Sequence, residues 1–208
     1  MKSLNFNFKL APSNKPPPTL LKIGCLPNLI VAISNTFLAS KGYNIGKSLY
    51  EPDLIKTAQK ILNNVNVPLP VDVVVSNEIS IDAKTQVKDV RDISSQDIIL
   101  DVGPQTSQIF SDIISKSKTI LWNGPLGVFE YSQFSKGTEQ LAKNIARSSA
   151  YSVAGGGDTI AAIEKFNVEQ CISYISTGGG AFLELVEACP LALSFTAHRT
   201  ILMFCSKA

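Results

Sequence analysis

The amino-acid sequence predicts an α/β protein of three layers, αβα, built on a parallel six-stranded sheet with helices on both faces. Three observations predict it. Short apolar, β-branched runs alternate along the chain with segments whose apolar residues recur at helical spacing. The connections are short and punctuated by glycine and proline, as right-handed strand-helix-strand crossovers require. Glycine-broken loops follow the late β-prone runs at Leu121-Trp-Asn-Gly-Pro-Leu-Gly-Val-Phe-Glu130, Gly155-Gly-Gly-Asp-Thr159 and Ser176-Thr-Gly-Gly-Gly180. The pattern is Rossmann-like, because open α/β sheets gather backbone N–H groups and helix N-termini around a phosphate at such loops.

Residues 1–27 read as a flexible arm, since Ala11-Pro-Ser-Asn-Lys-Pro-Pro-Pro18 favours extended polyproline backbone and lacks ladder donors. The first strand is expected at 29–33, a short apolar run, with Ser34 or Asn35 capping a following helix. An amphipathic helix is expected over 51–65, where Leu54, Ile55, Ala58, Ile61 and Leu62 share a face and Pro52 suits the first turn. Residues 70–75 read as a buried strand, and the polar stretch 76–96 as mostly irregular with room for a short strand or hairpin. Residues 97–102 give the next strand, stopped by Gly103-Pro104 before a helix bearing Ile109, Phe110, Ile113 and Ile114. The unit then recurs: strand 118–123, helix 134–147, strand 150–153, helix 158–166, strand 171–175 and helix 181–187.

Composition excludes several classes of function. With 45% hydrophobic and 17% charged residues in 208, the chain is globular and long enough for one well-buried domain. Its 19 basic and 17 acidic residues are scattered, with no basic stripe to hold nucleic acid. Cys25, Cys171, Cys189 and Cys205 form no C-x-x-C pair, and His198 is the sole histidine, so neither a zinc site nor a catalytic histidine is expected. Reduced thiols and an N-terminus without a secretory pattern imply the cytoplasm. No membrane span is expected, because Pro190 and His198-Arg199 interrupt the most apolar late stretch.

The glycine loops carry the chemistry. At Gly155-Gly-Gly-Asp-Thr159, glycines permit positive φ and close approach of a ligand, and the next helix offers unpaired N–H groups to an anion. Asp158 is either a helix cap or a carboxylate that reaches a magnesium ion carried on nucleotide phosphates. Ser176-Thr-Gly-Gly-Gly180 repeats the motif, which suits a polyphosphate or a phosphoryl group in transit, and neither loop has the lysine of a Walker-type P-loop. The loop from Trp122 to Glu130 fits a nucleoside, with an apolar wall for a base and a carboxylate for ribose hydroxyls, or else is a wide loop packed by its own aromatics.

Taken in order with Asn35-Thr-Phe-Leu38, Gly46-Lys-Ser-Leu49, Leu69-Pro-Val-Asp-Val-Val-Val75 and Leu100-Asp-Val-Gly-Pro104, these loops closely resemble the C-terminal, nucleotide-binding half of phosphoglycerate kinase. The resemblance implies an α/β nucleotide-binding domain over 28–187 and a divergent tail over 188–208. It implies that Gly103, Gly124, Leu126 and Phe129 surround adenine and ribose, Glu130 takes the ribose hydroxyls, and Asn123 points to the phosphates. Gly156, Gly157, Asp158 and Thr159 would hold the phosphates of ADP or ATP, with Asp158 on Mg²⁺. Gly178, Gly179 and Gly180 would face the phosphoryl group moving between 1,3-bisphosphoglycerate and MgADP.

The family's N-terminal substrate domain has no counterpart in the sequence, nor has its glycine-rich segment with the lysine that follows; Lys22 only echoes that region. The expectation is a monomeric chain that binds nucleotide weakly and turns over little by itself, meeting 1,3-bisphosphoglycerate or 3-phosphoglycerate only with an N-terminal domain supplied. The alternative is a non-catalytic ADP- or ATP-binding remnant of a split or decaying gene.

Overall fold

A computed structural model describes residues 29–177 and 200–204, with side chains from Ile33 to Thr177. The arm at 1–27, Lys22, the expected helix at 181–187 and Gly178, Gly179 and Gly180 lie outside the described residues.

The first element departs from expectation. Leu29–Ser40 is a helix, α1, and the expected strand at 29–33 is its first turns. A short apolar run has no period to separate a strand from a buried helix, so tertiary packing decides. Asn35 and Thr36, near the expected cap, sit buried within α1. There Asn35 Nδ2 donates to the Leu49 carbonyl at 2.9 Å and Thr36 Oγ1 accepts the Glu51 N–H at 2.9 Å, pinning the 49–51 turn. A 3₁₀ turn at Pro52–Leu54 then leads into α2, Ile55–Asn64, close to the expected helix.

Strands β1 (Asp72–Ser76), β2 (Gln86–Asp89) and β3 (Ile98–Val102) form a separate three-stranded sheet in the order β2-β1-β3. Both pairings are antiparallel, with Asp72 opposite Asp89 and Val73 opposite Val102. This corrects the expectation of one six-stranded parallel sheet. Parallel neighbours need a crossover of a dozen or more residues, usually helical, whereas the polar 77–97 segment holds β2 and turns and no helix. The strand at 70–75 misled because β1 is buried on both faces. Val73 and Val75 pack with Leu38, Ile45 and Ile99, while Val74 packs with Leu100, Val128 and Phe134.

The remaining strands make the parallel sheet. After α3 (Pro104–Ser115) come β4 (Thr119–Asn123), α4 (Lys136–Arg147), β5 (Tyr151–Gly155), α5 (Gly157–Lys165) and β6 (Tyr174–Ser176). β7, Thr200–Phe204, returns from the expected tail to pair with β4, so the order is β6-β5-β4-β7, parallel throughout. Ile120 and Trp122 of β4 and Ala154 of β5 meet Leu141, Ala142 and Ile145 of α4 and Ala162 and Ile163 of α5 in one buried cluster. α4 and α5 pack into this one cluster against the same strands. No described helix is long and apolar enough to cross a membrane.

Candidate functional site

The parallel sheet delivers Asn123 and Gly155 to neighbouring positions, because β4 and β5 run side by side with Trp122 opposite Ala154. Beyond those ends the chain turns twice on glycines in left-handed backbone, Gly124 at φ 105° and Gly156 at φ 92°. Gly156 also lies against the carboxamide of Asn123, since a Cβ there would fall 2.7 Å from Asn123 Oδ1. Any other residue would be strained and would push Asn123 aside. The next glycine is different: a Cβ at Gly157 would meet nothing within 4 Å, and Gly157 is exposed. Its cap is Gly156, which brings no side chain to the helix N–H groups.

Two hydroxyls hold the Leu121–Glu130 loop in place. Thr159 Oγ1 of α5 accepts the Gly124 N–H at 2.5 Å. Thr138 Oγ1 of α4 accepts the N–H groups of Leu126 at 3.0 Å and Gly127 at 3.3 Å. The Trp122 indole N–H donates to the Gly124 carbonyl at 2.7 Å, and the Val128 N–H to the Leu100 carbonyl at 2.9 Å. The far end is closed by Lys165, whose Nζ donates to the Phe129 carbonyl at 2.5 Å. Backbone groups that an irregular loop would leave unsatisfied are therefore bonded, which fixes its path.

Of the residues expected at the site, Asn123, Gly124, Gly156 and Thr159 are in direct contact. Gly157 and Asp158 open the helix beside them. Leu126 is half-buried against the core, Phe129 is buried within it, and Glu130 is exposed. Gly103 caps α3 and donates to the Asp72 carbonyl at 2.9 Å. The α3 N-terminus is already occupied by a carboxylate of the chain, since Asp72 accepts the N–H groups of Gln105 at 3.0 Å and Thr106 at 2.7 Å.

A second internal carboxylate underlies the loop. Asp101, 1% exposed at the end of β3, accepts the Gly137 N–H near the start of α4 at 2.8 Å. It also accepts the Val102 N–H at 2.9 Å. Burial pushes its carboxyl up to about 7, against the opposing pull of these two N–H donors. Asp72, Asp101, Thr138 and Lys165 were not among the residues expected at the site. A lone carboxylate in the apolar Ile98-Ile-Leu-Asp-Val102 strand was the available signal for Asp101; Thr138 and Lys165 look like ordinary helix residues.

Among the described residues no group of three or more His, Cys, Asp or Glu could hold a metal ion. Asp158, half-buried in the first turn of α5, stands as a single carboxylate donor. One carboxylate suits Mg²⁺ that arrives with several phosphate and water ligands, and does not suit an ion held by the protein alone.

A parallel sheet whose carboxyl edge gathers glycine-bearing strand-to-helix turns places the chain among the α/β proteins. Residues 28–188 match the family model for phosphoglycerate kinase, and the chain belongs to that family. The phosphoglycerate kinase of Coxiella burnetii superposes with a TM-score of 0.74 at 50% identity, covering 77% of this chain and 42% of that one. The phosphoglycerate kinase of Pyrococcus horikoshii gives a TM-score of 0.63 at 32% identity, again over 77% of this chain and 42% of its own. The match thus spans about two fifths of these solved structures.

Proposed function

We propose that the chain supplies the nucleotide-binding half of a phosphoglycerate kinase, a cytoplasmic glycolytic phosphotransferase that moves a phosphoryl group reversibly between 1,3-bisphosphoglycerate and MgADP. The observation that carries the reading is the open first turn of α5, set against Asn123 and Gly124 by a glycine that cannot be replaced without strain. A helix start without a carboxylate of its own cap, beside a carboxamide, is suited to an anionic phosphate.

In this reading the N–H groups of Gly157 and Asp158 and the side chains of Asn123 and Thr159 orient the phosphates. Gly124, Leu126 and Phe129 shape the nucleoside side, and the exposed carboxylate of Glu130 accepts hydrogen bonds from ribose hydroxyls. Gly103, which caps α3, is assigned to the adenine side. Mg²⁺, when bound with the nucleotide, neutralises phosphate charge, with Asp158 as its protein-side contact. The chain's own part is positioning, and no side chain is needed as a nucleophile. The substrate acyl phosphate would be held by an N-terminal domain outside this chain.

Calorimetric titration with MgADP, alone and with a separately expressed N-terminal domain, tests this. Weak binding by the chain alone is expected, with kinase activity in a coupled assay only when the second domain is added. No heat of binding at millimolar MgADP would refute the nucleotide reading. Activity of the chain alone near that of a two-domain enzyme would refute the division of labour.

A further inference from the structure

The loop that ends in Glu130 is gripped at both ends by the same helix. At the start of α5, Thr159 Oγ1 takes the Gly124 N–H at 2.5 Å. At its last residue, Lys165 Nζ donates to the Phe129 carbonyl at 2.5 Å and lies 3.3 Å from the Glu130 carbonyl oxygen. The ammonium also stands 5.7 Å from the centre of the Phe129 ring and 5.9 Å from that of Phe166. A nine-residue helix is a rod of roughly 13 Å, so it fixes the distance between the two anchor points.

The grip is on backbone, and the neighbouring acid is left out of it. Glu130 is exposed, and the ion pairs among the described residues are Lys88 with Asp97, Arg91 with Asp89 and Lys143 with Glu139. A lysine that merely decorated the surface would gain by closing on the carboxylate of the residue whose carbonyl it already touches. Lys165 instead immobilises the peptide units on either side of the Glu130 Cα, which sets the direction of its Cα–Cβ bond and leaves the carboxylate for another partner.

We infer that Lys165 is a positioning residue for sugar recognition: by holding the Phe129 and Glu130 carbonyls it aims the Glu130 carboxylate at the ribose hydroxyls of a nucleotide whose phosphates lie at the other end of α5. This rests on the nucleotide reading above. A helix that joins the phosphate turn to the sugar-facing acid makes the spacing between phosphate and ribose a selected quantity, so loss of Lys165 costs discrimination between sugars more than it costs phosphate binding.

The test compares MgADP with its 2′-deoxy and 3′-deoxy analogues by calorimetric titration of the full chain, Lys165→Met, Lys165→Arg and Glu130→Gln. The wild type is expected to prefer MgADP over at least one deoxy analogue by about tenfold, the worth of one hydrogen bond to a charged group. Lys165→Met should bring that ratio close to unity while keeping the affinity for the deoxy analogue within about twofold. Lys165→Arg should restore the ratio, and Glu130→Gln should lose it. Binding of MgADP with a ratio unchanged in Lys165→Met overturns the inference alone. If Lys165→Met does not fold, a retained ratio in Glu130→Gln overturns it, and so does a wild type that binds without preference. Absence of MgADP binding by the folded wild type overturns the nucleotide reading and this inference together.

Discussion

Asp101 brings a carboxylate to a place that water does not reach, between the end of β3 and the start of α4, with Gly127 and Gly137 packed closely against it. Its folded-state value near 7 lies above the unfolded 3.8, so between these the folded chain holds a proton that the unfolded chain has released. The sign follows from linkage: the stability this group allows is fully present below its unfolded value and is lost as pH rises through about 7, with an upper bound of about 4 kcal/mol. Asp101→Asn removes the titration and keeps an acceptor for Gly137. Its Tm is expected to gain on the wild type progressively from about pH 4 to pH 7 and to hold that gain above. A Tm difference independent of pH, measured by calorimetry in matched ionic strength, would contradict the assignment. The same carboxylate shows why the loop above it was only half legible: its polar residues stood out in the sequence, but the buried acid beneath them read as one polar letter in an apolar strand.

At the scale of elements, α3, α4 and α5 treat their N-termini differently. α3 receives Asp72 and α4 receives Asp101, so the protein's own carboxylates answer part of their N-terminal N–H groups. α5 begins on Gly156 and Gly157, and a Cβ on Gly157 would meet nothing within 4 Å. An acid in the first turn of a helix stabilises it by about 0.3–1 kcal/mol through the dipole, so a purely structural Asp158 would show itself mainly in the Tm. The expectation is otherwise: Asp158→Ala should abolish most of the dependence of ADP affinity on Mg²⁺ while lowering stability by no more than about 1 kcal/mol. Titrations with and without Mg²⁺, alongside denaturant unfolding, measure both, and an unchanged metal dependence with an equal loss of stability would return Asp158 to the role of a cap. The elements themselves were legible where period was strong, as in α2, α3, α4 and α5. They were illegible at α1, whose apolar opening carries no period.

At the scale of the whole molecule, β4 is the strand on which the site depends. It carries Asn123 at its end and is flanked by β5 on one side and β7 on the other. β7 comes from the far end of the sequence, so the loop that holds the site is supported by pairings both near and very distant along the chain. A ligand that binds the folded state at this edge must therefore stabilise the whole sheet by mass action. MgADP at about ten times its Kd should add about 1.4 kcal/mol, a rise of roughly 3–6 °C in Tm for a chain of this size. Thermal melts across a MgADP series measure it, and a Tm that stays flat at saturating MgADP would contradict binding to the folded state.

The sequence by itself determined the α/β class, most of the helices and strands, and the glycine turns that gather at Asn123, Gly124 and Gly156, because period, β-branching and glycine act locally. Tertiary structure alone decided the partners. It made β1 and β3 antiparallel neighbours in a sheet of their own and brought β7 beside β4. It also set Asp72 and Asp101 at helix starts and placed Lys165 on the loop carbonyls. Pairing and burial depend on which distant segment arrives, and a strand buried on both faces reads the same whichever way its neighbours run.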